Sequence, residues 1–399
     1  MSIQAYLRED GKKGIRNVVL VVALVECAKH VAEQIVRSFE YLDDGREVQL
    51  MTWSGCYPND YSQKIIGNMA THSNVGAVFF VSLGCEGMNR AALEDKVLKS
   101  GRWTEIMVIQ ENGGTATSIQ KGKERVNKAL EKIASTPRCT MEVDELIIGT
   151  ICGGSDATSG LTANPAIGGA FDELVAQGAR CIFEETGELI GCEKLIKDRA
   201  VNEEVAKALV ASIDQASRYY HQMGHGSFAP GNAAGGLTTV EEKSLGAYCK
   251  SGDGLISGVI APGDIPDKAG LYLMDVVPVG NPMFGFPNPS DNSEIIEMIA
   301  SGSHLILFST GRGSVVGSIV SPVIKICANP TTYQNMSGDM DINAGTVLTG
   351  DTTLKEVSQE IVELSLAVAN GQRTLSEALG HRESVLLYKG GMVEKTLCG

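Results

Sequence analysis

Within the first 140 residues, apolar runs and helix-spaced stretches replace one another four times, and no other feature of the chain constrains its fold as tightly. The runs at 18–25, 48–53, 77–83 and 105–110 are mostly apolar with no clean alternation of polar residues, as strands covered on both faces require. Between them, 28–40, 61–71, 89–99 and 115–133 repeat apolar residues at helical spacing. This order predicts a parallel sheet with helices on both sides, so 1–140 is expected to be a parallel α/β domain of Rossmann or flavodoxin-like type. The first strand runs into Glu26-Cys27-Ala28, not into a glycine-rich turn. A dinucleotide cofactor is therefore not expected on it.

Two further units are expected: a central α/β unit over 141–250 with loops rich in Cys and Glu, and a C-terminal α/β domain over 251–399. The run at 146–151 reads as a buried strand emptying into Cys152-Gly153-Gly154-Ser155-Asp156. A helix over 163–177 and a second strand over 179–183 follow, delivering Glu184, Glu185, Glu188, Cys192 and Glu193 into the next loop. In open α/β sheets ligands bind beyond the carboxyl ends of the strands, and two consecutive strands place thiols and carboxylates there. In the last unit, 271–277, 304–309 and 323–327 read as strands, with Thr310-Gly311-Arg312-Gly313 between the last two.

Composition excludes several classes. A net charge of −14 disfavours nucleic acid as a partner, although it does not exclude a small anion held by a few local cations. No apolar run approaches the roughly 18 residues of a membrane span, and the charged start lacks the apolar core of a secretion signal. The expectation is a cytoplasmic protein whose ten cysteines are reduced thiols and not a disulfide framework.

Cys85 and Cys152, near strand ends, are the thiols best placed for a metal or substrate role; a small buried hydrophobe is the alternative for each. Glu185, Glu188 and Glu193 are the matching carboxylates. His225, set among glycines, is a candidate general base, as is Lys325, whose apolar strand neighbours lower its proton affinity; structural packing and an ion pair are the respective alternatives. Arg8, Arg16 and Arg312 are candidate anion contacts, since the guanidinium fork matches a carboxylate or sulfonate. Gly113, Gly114 and Thr115 open a helix and form a natural anion cradle.

Taken together and in order, REDGKKGIRN, VECA, ENGGT, ICGGSDATSGLTANPAIG, PGNAAGGLTTVEEKSLGA, FSTGRGSVVGS, SPVIKICANP and DINAG resemble the altronate/galactarate dehydratase family over nearly the whole chain. The resemblance implies β-elimination from a 2-hydroxy acid. The nearest pattern is that of two-subunit members acting on sulfolactate, in which a short SAF-type chain supplies a domain not seen here; pyruvate and sulfite would be the products. An aldonate or aldarate would instead lose water to give a 2-keto-3-deoxy acid. Sugar-acid dehydratases carry EVPE…GAE where this chain has Glu185-Thr186-Gly187-Glu188 and Gly191-Cys192-Glu193, which argues for the first substrate. The resemblance also implies a divalent cation, iron(II) or similar, with an iron–sulfur cluster on three strand-end cysteines as the alternative. It adds Asn17, Ser155, Asp156, Asn232 and Thr310 as substrate contacts, and an oligomer as the working state. A non-catalytic subunit of a lyase complex is the reading from another class.

Overall fold

The structure is a computed structural model and describes residues 2–39, 46–224, 230–277, 290–386 and 389. The chain starts with strand β1 (Ile3–Leu7) and the short β2 (Lys13–Gly14), paired antiparallel across the Asp10-Gly11 turn. Then come β3 (Val18–Ala23), α1 (Glu26–Val36), β4 (Glu47–Thr52), α2 (Asp60–Ala70), β5 (Val75–Ser82), α3 (Arg90–Lys99), β6 (Trp103–Val108) and α4 (Gly114–Ala134). The four strands after the hairpin form one parallel sheet in the order β4-β3-β5-β6, the start of the flavodoxin-like arrangement. All six residues of β3 are buried, as its uninterrupted apolar run requires. Strand β7 (Arg138–Met141) returns to pair with β1, closing a three-stranded antiparallel sheet not expected from the sequence.

The remainder is a single layer. Strands β8 (Ile147–Cys152), β9 (Arg180–Phe183), β10 (Ile256–Ile260), β11 (Gly270–Met274), β12 (Leu305–Thr310), β13 (Val323–Cys327) and β14 (Ile342–Asn343) form one parallel sheet in the order β10-β11-β9-β8-β12-β13-β14. The boundary expected near residue 250 is therefore corrected: β9 pairs with β11 and β8 with β12, so the strands either side of it interleave. The described residues of 193–248 are mostly helical, and there the chain makes a long excursion from the sheet before returning in β10.

Helices complete the sandwich: α5 (Ala163–Ala176), α6 (Glu193–Asp198), α7 (Glu203–Met223), α8 (Pro230–Ala234), α9 (Val240–Tyr248), α10 (Asp291–Ala300), α11 (Pro330–Met336), α12 (Thr346–Thr349), α13 (Leu354–Ala369) and α14 (Leu375–Leu379). One face of the large sheet, with Ile148, Leu307 and Ile324, packs on α5 and α13. The opposite face, with Ile151, Ile306 and Phe308, shares a core with α10, α2 and the inner face of the first sheet. The outer face of that sheet packs on α1 and α4. Each fully buried Phe or Ile contributes roughly 2–3 kcal/mol by leaving water. No helix among the described residues is long and apolar enough to cross a membrane.

Strand β8 has β9 on one side and β12 on the other, and the chain builds outward from it in both directions. The loops diverge at that switch point, so the carboxyl ends of β8, β9 and β12 border a crevice.

Candidate active site

The last residue of β8, Cys152, lies in this crevice. Its Sγ is 3.2 Å from Glu185 Oε1 and 3.4 Å from Glu188 Oε2, both in the loop after β9. Its backbone N–H donates to Glu185 Oε2 at 3.2 Å. Among the described residues this trio is the only group of three or more His, Cys, Asp or Glu whose ligating atoms all lie within 4.8 Å of one another.

Two lysines enter from the excursion between β9 and β10. Lys243 on α9 donates from Nζ to Glu188 Oε2 (2.5 Å), Ser155 Oγ (3.0 Å) and Cys152 Sγ (3.2 Å). Burial works against its charge, but Cys152 and Glu188 more than offset that, so Lys243 holds its proton more tightly than usual. Lys250, buried just beyond α9, is ion-paired with Glu185. Ser155 Oγ donates to Cys152 Sγ at 3.3 Å. A cavity of about 270 Å³ opens beside Ser155 and Lys243.

More carboxyls crowd the same place. Glu184 is 1% exposed, and neither of its oxygens has a hydrogen-bond partner among the described residues. Burial, reinforced by Glu294, raises its pKa well above the carboxylate range. Glu294 on α10 is pushed up to about 8, mainly by burial, and Asp291 at the start of that helix to about 6, by burial and then by Glu188. These five carboxyls and the thiol outnumber the three lysines that act on them among the described residues, Lys243, Lys250 and Lys389. Excess buried negative charge is relieved by protonation or by a cation of higher charge. The trio's borderline donors fit a divalent transition-metal ion, and the partnerless oxygens of Glu184 beside them are further evidence of that fit.

Glu185 adopts φ 76° and is the only non-glycine residue among those described with positive φ. That conformation costs on the order of 1 kcal/mol, and such strain collects where a side chain must be aimed. Gly153 permits the close approach of α10: a Cβ there would lie 2.1 Å from Asp291 Oδ2 and 2.6 Å from Phe308 Cζ.

The shoulder of the crevice comes from β12. Gly153 N–H donates to Ser309 O (3.0 Å) and Arg312 N–H to Gly154 O (2.8 Å), which binds the two glycine loops together. Asp156 accepts from Asn329 Nδ2 at 2.9 Å and from Thr158, while Arg312 donates to Gly231 O on α8. Thr310 Oγ1 accepts from Gly313 N–H, and Asn232 is buried on α8. Ser155, Asp156, Thr310 and Arg312, with Cys152, Glu185 and Glu188, are therefore brought to one crevice.

Residues 5–134 match the family described as D-galactarate dehydratase/Altronate hydrolase, second domain, and residues 143–392 match D-galactarate/Altronate dehydratase, C-terminal. The chain belongs to the D-galactarate/altronate dehydratase family. It is 32% identical over 402 residues to the (2R)-sulfolactate sulfo-lyase subunit beta of Chromohalobacter salexigens, covering 96% of each chain. It is 30% identical to the altronate dehydratase of Bacillus subtilis and 31% to the galactarate dehydratase (L-threo-forming) of Escherichia coli, covering 98% and 97% of this chain but 78% and 76% of theirs. These relatives are named as lyases or dehydratases, and this member of the family is an enzyme of the lyase class.

Other expected residues lie elsewhere. Arg8 is buried and fully used by Ser73 O, Asn17 Oδ1 and Arg16 O, and Asn17 Nδ2 in turn donates to Ile133 O, so both brace the first sheet. Arg16 forms a bidentate pair with Glu377 and donates to Val368 O and Gln372 O. Cys85 is exposed in the loop after β5, and Gly113, Gly114 and Thr115 open α4 on the same sheet. Glu193 starts α6 and accepts from Gly191 N–H. Cys85 and Glu193 are not in the trio. Lys325, on β13 two strands from β8, emerges on the sheet face opposite to Cys152, where its Nζ is 3.2 Å from His381 Nδ1; burial lowers its pKa. Neighbouring strands are about 4.8 Å apart, so the structure does not bring Lys325 to the cluster. His225 lies outside the described residues.

Sequence reasoning missed Lys243, Lys250, Glu184's partnerless burial and Asn329. The signal for Lys243 was its place inside the VEEKSLGA motif, where a lysine on a short polar helix reads as a solvated charge.

Proposed function

We propose that this chain catalyses β-elimination from (2R)-3-sulfolactate, giving pyruvate and sulfite. The observation that supports this reading most is the match over 96% of both chains to a sulfolactate sulfo-lyase subunit beta, combined with a thiol–carboxylate–lysine cluster at the switch point. The proton on C2 leaves, the C3–S bond breaks with its electron pair going to sulfite, and the enol left behind tautomerises to pyruvate. Cys152, Glu185 and Glu188 would hold a divalent cation, with iron(II) as the proposed ion. Bound there, it would supply positive charge to stabilise the enolate.

The residues divide the remaining work. Lys243, protonated at neutral pH, is the proposed donor of a proton to the departing group or the clamp on one substrate anion, with Ser155 beside it. Arg312 would hold the second anionic group. His225 is the proposed acceptor of the C2 proton: it lies five residues before α8, and Gly231 and Gly235 in and after that helix approach Arg312 and Asp156. By analogy with the subunit beta, a small SAF-type chain is the proposed partner, completing the site and excluding water.

The test is to supply sulfolactate, altronate and galactarate separately with iron(II), with and without such a chain, and to measure sulfite and keto acid. Sulfite from sulfolactate alone is the expected result. A 2-keto-3-deoxy acid from altronate or galactarate, with no sulfite, would replace this reading with the dehydratase one.

A further inference from the structure

At the opposite end of the large sheet lies a cavity of about 310 Å³ that the lyase chemistry does not use. Ile147 and Arg180, the first residues of β8 and β9, line it, as does His304 just before β12. The six residues of β8 separate this edge from Cys152, roughly 17 Å along the strand. Its other wall comes from the β1–β2 turn, the end of α2 and Lys96 of α3, so the cavity lies between the two segments that match the family.

Its lining inverts the charge of the chain. Four cations, Lys12, Lys13, Lys96 and Arg180, face one carboxylate, Glu145, in a protein of net charge −14. Lys13 is neutralised by Glu145 at 2.6 Å, and Lys12 has Asp10 at 3.6 Å. The other two form no ion pair among the described residues. Lys96 donates only to the Asn68 amide oxygen, at 2.6 Å, and Arg180 only to the carbonyls of Pro266 (3.1 Å) and Glu145 (2.9 Å). Arg180 Nε is buried with no acceptor among the described residues. Burial, and then Lys12 and Lys64, lower the pKa of Lys96, which has neighbouring cations and no carboxylate of its own among the described residues. The histidines add no charge, because burial keeps both neutral near pH 7.

We propose that this cavity is a second ligand site that binds a small dianion, with Lys96, Arg180 and Lys12 as its charged contacts and Ile147 and Ile265 receiving a short apolar stem. The volume is at the lower end of small-molecule pockets, which suits a compact metabolite and excludes a polyanion. A phosphate group and a short dicarboxylate share the required chemistry, and an occupant would join the two halves of the chain.

The full chain is titrated with inorganic phosphate and, separately, succinate at constant ionic strength, following melting temperature and heat of binding. Saturable stabilisation by at least one probe is expected, and the better probe identifies the head group. Lys96→Ala and Lys12→Ala should each weaken that binding at least tenfold, while Lys29→Ala on α1 and Cys152→Ser in the active-site crevice should not. Stabilisation that follows ionic strength without saturating, or an unchanged dissociation constant in both pocket variants, would overturn the assignment. Lys12 is exposed, so its variant tests the idea even if Lys96→Ala folds poorly.

Discussion

Lys243 Nζ lies 3.2 Å from Cys152 Sγ, joining residues 91 positions apart in the chain at the end of a central strand. The same ammonium is 2.5 Å from Glu188, so it stands among the very donors that would hold a metal ion. Removing one partner of a buried charge group costs about 3–5 kcal/mol because the others are left unpaired. Lys243→Met should therefore lower unfolding free energy by about 3 kcal/mol and kcat by at least a hundredfold. A divalent ion should raise the melting temperature of this variant more than that of the wild type, because the ion now supplies the missing positive charge. Equal shifts in the two proteins would show that Lys243 and the ion do not share the site. Lys325→Met, made in parallel, should leave the metal-dependent shift unchanged, since its side chain emerges on the other face of the sheet.

The trio itself makes a separate prediction. Replacing a metal ligand typically costs far more affinity than replacing a residue behind it, for which about 10–100-fold is usual. Glu185→Gln, Glu188→Gln and Cys152→Ser should each weaken divalent-ion binding by at least that factor, read by metal titration of chelator-treated protein. Glu193→Gln should not, because that carboxylate caps its own loop at Gly191. Retention of full metal affinity in the Cys152 and Glu188 variants would remove the trio as the site.

Much of this was legible in the sequence, for identifiable reasons. Fully apolar strands such as β3 and β8 announce parallel pairing because both faces must be covered, and a strand's carboxyl end is where chemistry collects; hence the sequence singles out Cys152, Glu185, Glu188 and Arg312, which the fold gathers at one crevice. What could not be read was which charges the fold removes from water. Arg8 and Arg16 sit in a motif rich in charge, and only the burial of Arg8 against Ser73 and the pairing of Arg16 with Glu377 reveal them as braces. Lys243 failed in the opposite direction: α9 looks solvated by composition, and its contact with β8 depends on pairings across 91 residues. Sheet order had the same cause, since the pairing of β8 with β12 spans a long excursion that local pattern does not encode.

The buried histidines make stability depend on pH. His304 accepts from Ile147 N–H at Nδ1 (3.0 Å), leaving Nε2–H to donate to Lys13 O (3.0 Å), so it is held neutral. Burial lowers its pKa from 6.5 to about 4. The unfolded chain then binds more protons than the folded one below about pH 6.5, so stability is complete above that value and declines as pH falls toward 4. The shift corresponds to about 3 kcal/mol. Glu294, raised to about 8, acts with the opposite sign, favouring the folded state at low pH, so the readout is a difference. Urea unfolding of wild type and His304→Asn between pH 7 and pH 4 should show the wild type losing more stability by that amount. Parallel pH profiles would refute it.

Gly153 provides the strictest packing test, because the contact it allows connects the strand bearing Cys152 to the helix bearing Asp291 and Glu294. A Cβ at this position would overlap Asp291 Oδ2 at 2.1 Å and the Phe308 ring at 2.6 Å, and neither can retreat easily. Phe308 is fully buried in the core shared by the two parallel sheets, and Asp291 opens α10, whose apolar side is anchored by Ile295, Ile296 and Ile299. Relief must come from moving the start of α10 away from β8. Overpacking of this kind costs about 1–3 kcal/mol. Gly153→Ala should therefore lower unfolding free energy by that amount and impair turnover beyond what the stability loss explains, since Asp291 and Glu294 withdraw from the crevice. Gly338→Ala, with no atom within 4 Å of its Cβ position, should do neither. Were the two variants indistinguishable in melting temperature and kcat, the close contact of α10 with the end of β8 would have no part in shaping the site.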